Sequence, residues 1–347
     1  MAFVQGLESV RIQQICTKPN KLFVHRTLLL IVGPTGVGKT ELALRVAERY
    51  GSPIVNCDSR QVYREIPIGT AAPTAEELAR VKHYFVGCKE LEEDYNAGQY
   101  ERDALALLDQ LFEDHEVVVM SGGSMLYADA VCDGLDDIPN VPEDIRKKVA
   151  YPRSLPRGRE ESREEWLSWL QAEVQRLDPE YWKIVDQHNP ARLAHCVELC
   201  LTTGKPYSSL RTKESGIRSQ ESGDRPFRII KVGLERPREE LYARINRRVE
   251  QMIADGLVEE AKRVYPKRAL NSLRTVGYRE LFAYFDGEYD LERAIELIQQ
   301  NTRHYAKRQI TWYRRDKEIH WLQAERDYET NIRIIDHLLG DGGVQEE

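Results

Sequence analysis

No stretch of this 347-residue chain offers the run of about 18 apolar residues that a membrane-crossing helix needs. The best candidate, residues 28–32, is only strand-length and leads straight into glycines. Nothing after it resembles a small-residue cleavage site, so it does not read as a signal-peptide core. Cysteine is scattered: Cys16, Cys57, Cys88, Cys132, Cys196 and Cys200 include no Cys-x-x-Cys pair. Cys196 and Cys200 fall four apart on an expected helix, where core packing outweighs metal binding because no second ligand pair accompanies them. Such usage suits the cytosol. Positive charge is not in excess either. The 57 acids and 50 bases leave a formal net charge of −7, so a nucleic-acid partner has to be held by local basic patches. Hydrophobic residues at 41% are ample for one large domain and a smaller one.

The order of segments predicts an α/β fold. Residues 26–32, 52–57 and 117–120 read as short buried strands, with helices expected over residues 41–50 and 100–113 between them. Strands alternating with helices point to a doubly wound parallel sheet, in which ligands bind beyond the carboxyl ends of the strands. Residues 1–26 read as an extension and 27–140 as the first part of the core. An inserted helical subdomain is expected over 141–220, from a Pro- and Arg-rich stretch at 151–163, helical segments and a polar linker after 212. The core is expected to finish in 221–325, where the linker leads back to 227–234 and a C-terminal helical region follows, with a long helix over Leu291–Tyr313 before a strand-like 319–322. Residues 326–347 read as a frayed acidic tail.

Gly33-Pro34-Thr35-Gly36-Val37-Gly38-Lys39-Thr40 fits Gly-x-x-x-x-Gly-Lys-Ser/Thr between a buried strand and a helix, the context a P-loop requires. Its glycines let backbone N–H groups turn inward around phosphate oxygens. Lys39 supplies a mobile cation, and Thr40 a hydroxyl for Mg²⁺. A nucleoside-triphosphatase also needs a second acidic residue, usually at the end of a buried strand. Residues 117–120 lead instead into Ser121-Gly122-Gly123-Ser124. Ordinary triphosphate hydrolysis is therefore not expected. Asp58 follows an apolar strand at the same sheet edge, where a metal ligand, a helix or turn cap and a general base compete as readings.

Ile54-Val55-Asn56-Cys57-Asp58-Ser59-Arg60-Gln61-Val62-Tyr63, continuing through Ile68-Gly69-Thr70-Ala71, resembles the signature of the tRNA dimethylallyltransferases. Ser121-Gly122-Gly123-Ser124-Met125-Leu126-Tyr127 is similar to that family's Gly-Gly-Thr-x-Leu-Tyr turn. Arg244-Ile245, Met252-Ile253, Gly256-Leu257-Val258-Glu259-Glu260, Gly277-Tyr278-Arg279-Glu280 and Ala306-Lys307-Arg308-Gln309-Ile310-Thr311-Trp312 follow in the family's order, so the resemblance runs from about residue 28 to 323.

The resemblance implies transfer of a dimethylallyl group from dimethylallyl diphosphate to N6 of the adenosine just 3′ of the tRNA anticodon. It implies Mg²⁺, and a P-loop that grips the prenyl diphosphate in place of ATP. Asp58 corresponds to the family's proton acceptor, Arg244 to an arginine on the leaving diphosphate, and Ser124 to a threonine near the reacting centre. Ser59, Arg60 and Gln61 fall where the target base is held. The anticodon arm falls to Arg146, Arg192 and His195 on the insert and to Lys307 and Arg308 on the last long helix. That helix carries Arg303, Lys307, Arg308, Arg314 and Arg315 without one acid between residues 301 and 315, beside Tyr305, Trp312 and Tyr313.

The chain departs from the family at two places. Asp-Ile-Gly-Thr-Ala-Lys-Pro reads Pro67-Ile68-Gly69-Thr70-Ala71-Ala72-Pro73, and Gln-Arg-x-x-Arg reads Ala191-Arg192-Leu193-Ala194-His195. Both losses thin polar contacts to RNA more than they touch the chemistry. Two other readings compete with it: an isopentenyltransferase of free adenine nucleotides, which needs neither insert nor basic helix, and a non-catalytic P-loop paralogue that only holds tRNA. A cytoplasmic monomer with no membrane partner is expected.

Overall fold

The computed structural model describes residues 26–135, 139–151, 162–210 and 225–340. The first part of the core alternates strand and helix. Thr27–Val32 (β1), Lys39–Tyr50 (α1), Ile54–Asn56 (β2), Ala75–Arg80 (α2), His83–Tyr84 (β3), Ala97–Asp114 (α3), Val117–Ser121 (β4) and Met125–Asp133 (α4) follow in order. Glu143–Val149 (α5), Arg163–Leu177 (α6), Pro179–Trp182 (α7) and Pro190–Thr203 (α8) form the insert. Arg228–Glu235 (β5) returns the chain to the sheet. Arg238–Ala254 (α9), Leu257–Val264 (α10), Tyr278–Phe285 (α11), Leu291–Tyr313 (α12), His320–Gln323 (β6) and Tyr328–Gly340 (α13) complete the described chain.

The six strands lie in the order β3-β2-β4-β1-β5-β6, and every pairing is parallel. The sequence of β1 explains its central place. All of its residues are buried, because helices cover both faces of a parallel sheet. Side chains alternate across the pleat: Leu28, Leu30 and Val32 pack with α3 and α4, while Leu29 and Ile31 pack with α1. Each such fully buried aliphatic side chain contributes roughly 1.5–3 kcal/mol of transfer free energy.

Helix ends follow local chemistry. Asn96 and Gln99 close a capping box on α3, and Ser162 with Glu165 does the same on α6. Gly256 takes φ 101° and separates α9 from α10.

The insert has a core of its own, in which Val149, Leu170, Val174, Leu193, Cys196 and Val197 are buried together. Cys196 and Cys200 lie beside Asp178 there. Both Asp178 oxygens already accept hydrogen bonds, from the Tyr181 and Ser208 amides and the Ser208 hydroxyl. The carboxylate is a cap, and the thiols pack around it.

One expectation is corrected. The segment read as a frayed tail is helical from Tyr328 to Gly340 and buries Ile332 and Ile335 against the α1 face of the sheet. Arg49 of α1 forms a two-bond pair with its Asp336. Acidic residues at 325, 327, 329 and 336 disguised an amphipathic period. The Pro- and Arg-rich stretch and the polar linker fall mostly outside the described residues, as does nearly all of the N-terminal extension.

Candidate active site

Because all strands are parallel, the carboxyl ends of β1, β2 and β4 meet at one sheet edge. Register brings them together: Ser121 at the end of β4 sits opposite both Ile31 of β1 and Asn56 of β2. The turn at residues 122–124 is thereby wedged between the P-loop and Asp58. These ends open onto a cavity of about 470 Å³.

The P-loop has the expected form, with Gly36 at φ 80° and Gly38 at φ 113°, conformations that favour glycine. The Lys39 ammonium donates to the carbonyls of Gly33 at 2.9 Å and Pro34 at 3.0 Å. Burial, and then the charge of Arg248, push it down to about 8. Arg244, on α9, donates through Nε to the Gly36 carbonyl at 2.8 Å. It therefore faces the cradle and is not a solvated helix charge. Thr40 is exposed at the start of α1 and lines the cavity.

Asp58 caps a turn and not a helix. Its Oδ1 accepts from the Arg60 amide at 2.9 Å and the Gln61 amide at 3.4 Å, which fixes the carboxylate in a tight turn. Ser124 sits beside this turn, its Oγ accepting from the Ser59 amide and donating to the Ser59 hydroxyl, each at 2.8 Å. The Gln61 Nε2 donates to the carbonyls of Thr70 and Ala71 at 3.1 and 2.9 Å. Arg60 sends its guanidinium to the carbonyls of Asn271 and Ser272, so it fastens a loop even though it also lines the cavity.

The basic residues divide. Lys307 and Arg308 are exposed on α12, and Arg308 lies 5.6 Å over the Tyr305 ring at the cavity wall. Arg303 donates to Asn246, and Arg314 meets Glu235 at 3.4 Å. The accompanying aromatics turn inward: Tyr313 is buried, Trp312 donates to Asp129, and Tyr305 donates to the Gly123 carbonyl. The five-cation face expected along this helix is thus reduced, because one side of the helix packs on the sheet. On the insert, Arg146 and Arg192 are exposed, and His195 packs edge-on to Tyr207. Partial burial and then the Arg146 charge hold that imidazole below its ordinary value.

Several residues at the cavity escaped the reading of the sequence. Arg248, one helical turn beyond Arg244, reaches Thr35 Oγ1 at 3.5 Å, and burial lowers its guanidinium pKa. The i, i+4 spacing from Arg244 was the available signal. Gln309 is fully buried and bridges the site, accepting from the Thr35 amide at 2.8 Å and donating to the Gly123 carbonyl at 2.7 Å. Arg274 and Arg279 flank Gly277 and also line the cavity. Among the described residues, Asp58 is the only carboxylate in the lining, against Lys39, Arg60, Arg248, Arg274, Arg279 and Arg308.

Such a wall suits a polyanion and sets a single carboxylate beside the P-loop, the arrangement of a P-loop α/β protein. Comparison with known proteins narrows this class. The family described as IPP transferase matches residues 61–316. The tRNA dimethylallyltransferase 1 of Bacteroides fragilis is 52% identical over 304 residues, covering 88% of this chain and 96% of that protein. Its counterpart in Phocaeicola vulgatus is 53% identical over 303 residues, with coverage of 87% and 96%. The crystal structure of the tRNA isopentenylpyrophosphate transferase of Bacillus halodurans superposes with a TM-score of 0.65 at 30% identity, over 91% of this chain and 96% of that one. A eukaryotic dimethylallyltransferase solved acting on tRNA shares the fold, with a TM-score of 0.74 at 20% identity over 93% of this chain and 81% of that one. The chain belongs to the IPP transferase family.

Proposed function

We propose that this protein transfers a dimethylallyl group from dimethylallyl diphosphate to N6 of the adenosine 3′-adjacent to the anticodon in tRNA. The observation that carries the reading is Asp58, the only carboxylate among the described residues of the cavity, set beside the P-loop and six cationic side chains. A phosphohydrolase cradle would add a second acid for its metal, and the turn after β4 offers only Ser121, Gly122, Gly123 and Ser124. The names of the similar proteins, tRNA dimethylallyltransferases, support the same substrate.

The exocyclic amine of adenine is a poor nucleophile, because its lone pair is delocalised into the ring. In the proposed step a bond forms between N6 and the allylic carbon, while the carbon–oxygen bond breaks and its electron pair leaves with the diphosphate. The amine proton becomes acidic as the bond forms, and Asp58 accepts it. Charge gathering on the diphosphate meets the P-loop amides, Lys39, Arg244 and Arg248. Ser124, bonded to Ser59, braces the turn that carries Asp58.

Mg²⁺ is commonly held by one or two protein oxygens together with phosphates and water, and the exposed Thr40 hydroxyl beside the cradle fits one such position. When bound it would supply further neutralisation of the diphosphate.

A stacked base cannot enter such a cavity, so the adenosine has to be extruded, which an RNA loop makes cheap. Lys307 and Arg308 beside the mouth, with Arg146, Arg192 and His195 on the insert, serve the phosphates of the anticodon arm. We read the protein as a monomer acting in the cytoplasm. Among the described residues no helix is long and apolar enough to cross a membrane.

Labelled dimethylallyl diphosphate offered with unmodified tRNA, with AMP and alone tests the reading. Label in tRNA only is the expected result. Label in AMP would favour a free-nucleotide enzyme, and label in neither would leave a tRNA-holding paralogue.

A further inference from the structure

Glu260, on α10, is fully buried, and its bonding reaches the site. Its carboxylate accepts from the Ile68 amide at 2.9 Å, the Gly69 amide at 2.8 Å and the Tyr278 phenol at 2.6 Å. Burying a carboxylate is costly unless its oxygens are well bonded, and here three donors satisfy it. What it grips is the irregular loop at residues 66–71. The Gly69 backbone lies flat on Tyr278, where a Cβ would stand 2.4 Å from the phenol oxygen. Two residues on, Ala71 takes φ 48°, in the left-handed region that non-glycine residues adopt at a cost. The loop is thus held in a conformation it would not choose alone.

That conformation turns the Thr70 and Ala71 carbonyls onto Gln61. Only the NH₂ end of a carboxamide can serve two carbonyls, so its oxygen is the end left to accept a proton donor. Gln61, Gly69, Thr70 and Ala71 all line the cavity that holds Asp58.

We propose that Glu260, together with Tyr278, is a positioning residue for prenyl transfer. It locks loop 66–71 so that Gln61 presents its carboxamide oxygen to the second N–H of the adenine amine, whose other proton passes to Asp58. This rests on the tRNA-directed reading above. Holding the second hydrogen orients the nitrogen lone pair toward the allylic carbon. It also disfavours a purine with oxygen at the same position, whose lone pairs would face the Gln61 oxygen.

The test combines Glu260→Gln, Tyr278→Phe and Gln61→Ala. Glu260→Gln keeps the size but sets an amide NH₂ against a backbone N–H; Tyr278→Phe removes one hydrogen bond and keeps the ring. Single-turnover rates at saturating tRNA and prenyl diphosphate should fall roughly tenfold in Glu260→Gln and severalfold in Tyr278→Phe. Prenyl diphosphate affinity should hold, and amide exchange in residues 66–72 should quicken. Combined with Gln61→Ala, neither variant should be slower than Gln61→Ala alone, because both act through that side chain. Should Glu260→Gln fail to fold, Tyr278→Phe carries the same cycle. Multiplying losses in the double variants, or a full rate despite faster exchange, would overturn the inference. Exchange in 66–72 that ignores Glu260→Gln overturns it alone, whereas a wild type that transfers nothing to tRNA sinks the proposed function as well.

Discussion

The Asp58 carboxylate lies so close to Gly123 that a Cβ built on that glycine would stand 2.7 Å from Oδ2. Its other oxygen is tied to the Arg60 and Gln61 amides, so the carboxylate cannot swing aside without losing them. Gly123→Ala should therefore displace the proposed base while leaving the cradle in place. A misplacement of about 1 Å can cost on the order of 10²-fold in rate, and a loss of that order is expected in single turnover with prenyl diphosphate affinity near wild type. An unchanged rate would mean that the position of Asp58 is immaterial.

Lys39 gives a pH prediction. Its ammonium sits at about 8 in the free protein, below the ordinary value of 10.5. A diphosphate needs the charged form, so binding takes up a proton above about pH 8 and affinity should fall from there, by up to about tenfold per unit. Lys39→Arg, which stays charged, should remove the decline. For stability the sign reverses: between about pH 8 and 10.5 the unfolded chain holds this proton and the folded one does not, so this group stabilises the fold as pH rises through that window. Calorimetric titration of prenyl diphosphate from pH 7 to 9.5 checks the binding limb, and flat affinity for both proteins would count against it.

Replacing Lys307 and Arg308 by alanine should weaken tRNA binding and reduce its logarithmic salt dependence by roughly one to two units of slope. Prenyl diphosphate affinity should stay as it was. An unaltered slope would mark these exposed cations as solvated only.

Ile335 is fully buried on α13, in the segment whose acidity reads as a tail. Ile335→Ala should destabilise the protein by about 2–5 kcal/mol if this helix belongs to the core. Denaturant melts decide the matter, and a midpoint indistinguishable from wild type would detach the helix from the fold.

The contrast between Lys39 and Gln309 shows what the sequence made legible. The P-loop, the strand before Asp58 and the Gly122-Gly123 turn announce themselves because each depends on adjacent residues: a glycine spacing, an apolar run, a strand end. Gln309 and Arg248 come from helices more than 200 residues beyond the loop they touch, at Thr35. The spacing of Arg248 from Arg244 and the motif around Gln309 mark the two residues but not their partner, since only the packing of α9 and α12 beside the sheet edge creates the contact with Thr35. Arg60 shows the converse. Its place in the motif suggests RNA, and the tertiary structure adds contacts that no neighbouring residue announces, to the Asn271 and Ser272 carbonyls. Apolar runs identified β1, β2 and β4 and the helical period the long helix Leu291–Tyr313, whereas the two-residue β3 carries no such run and α13 was hidden by its charge.

The central claim is that Asp58 takes the amine proton, and single-turnover kinetics of Asp58→Asn tests it most directly. Asparagine keeps the size of the side chain but cannot accept the proton, so the chemical step should slow by on the order of 10²–10⁴-fold. Both substrates should still bind, because the diphosphate is gripped by the P-loop and the tRNA mostly by its backbone. A metal-ligand role would instead show as lost prenyl diphosphate affinity that extra Mg²⁺ partly restores. Single-turnover chemistry at the wild-type rate would contradict the account and remove Asp58 from the mechanism.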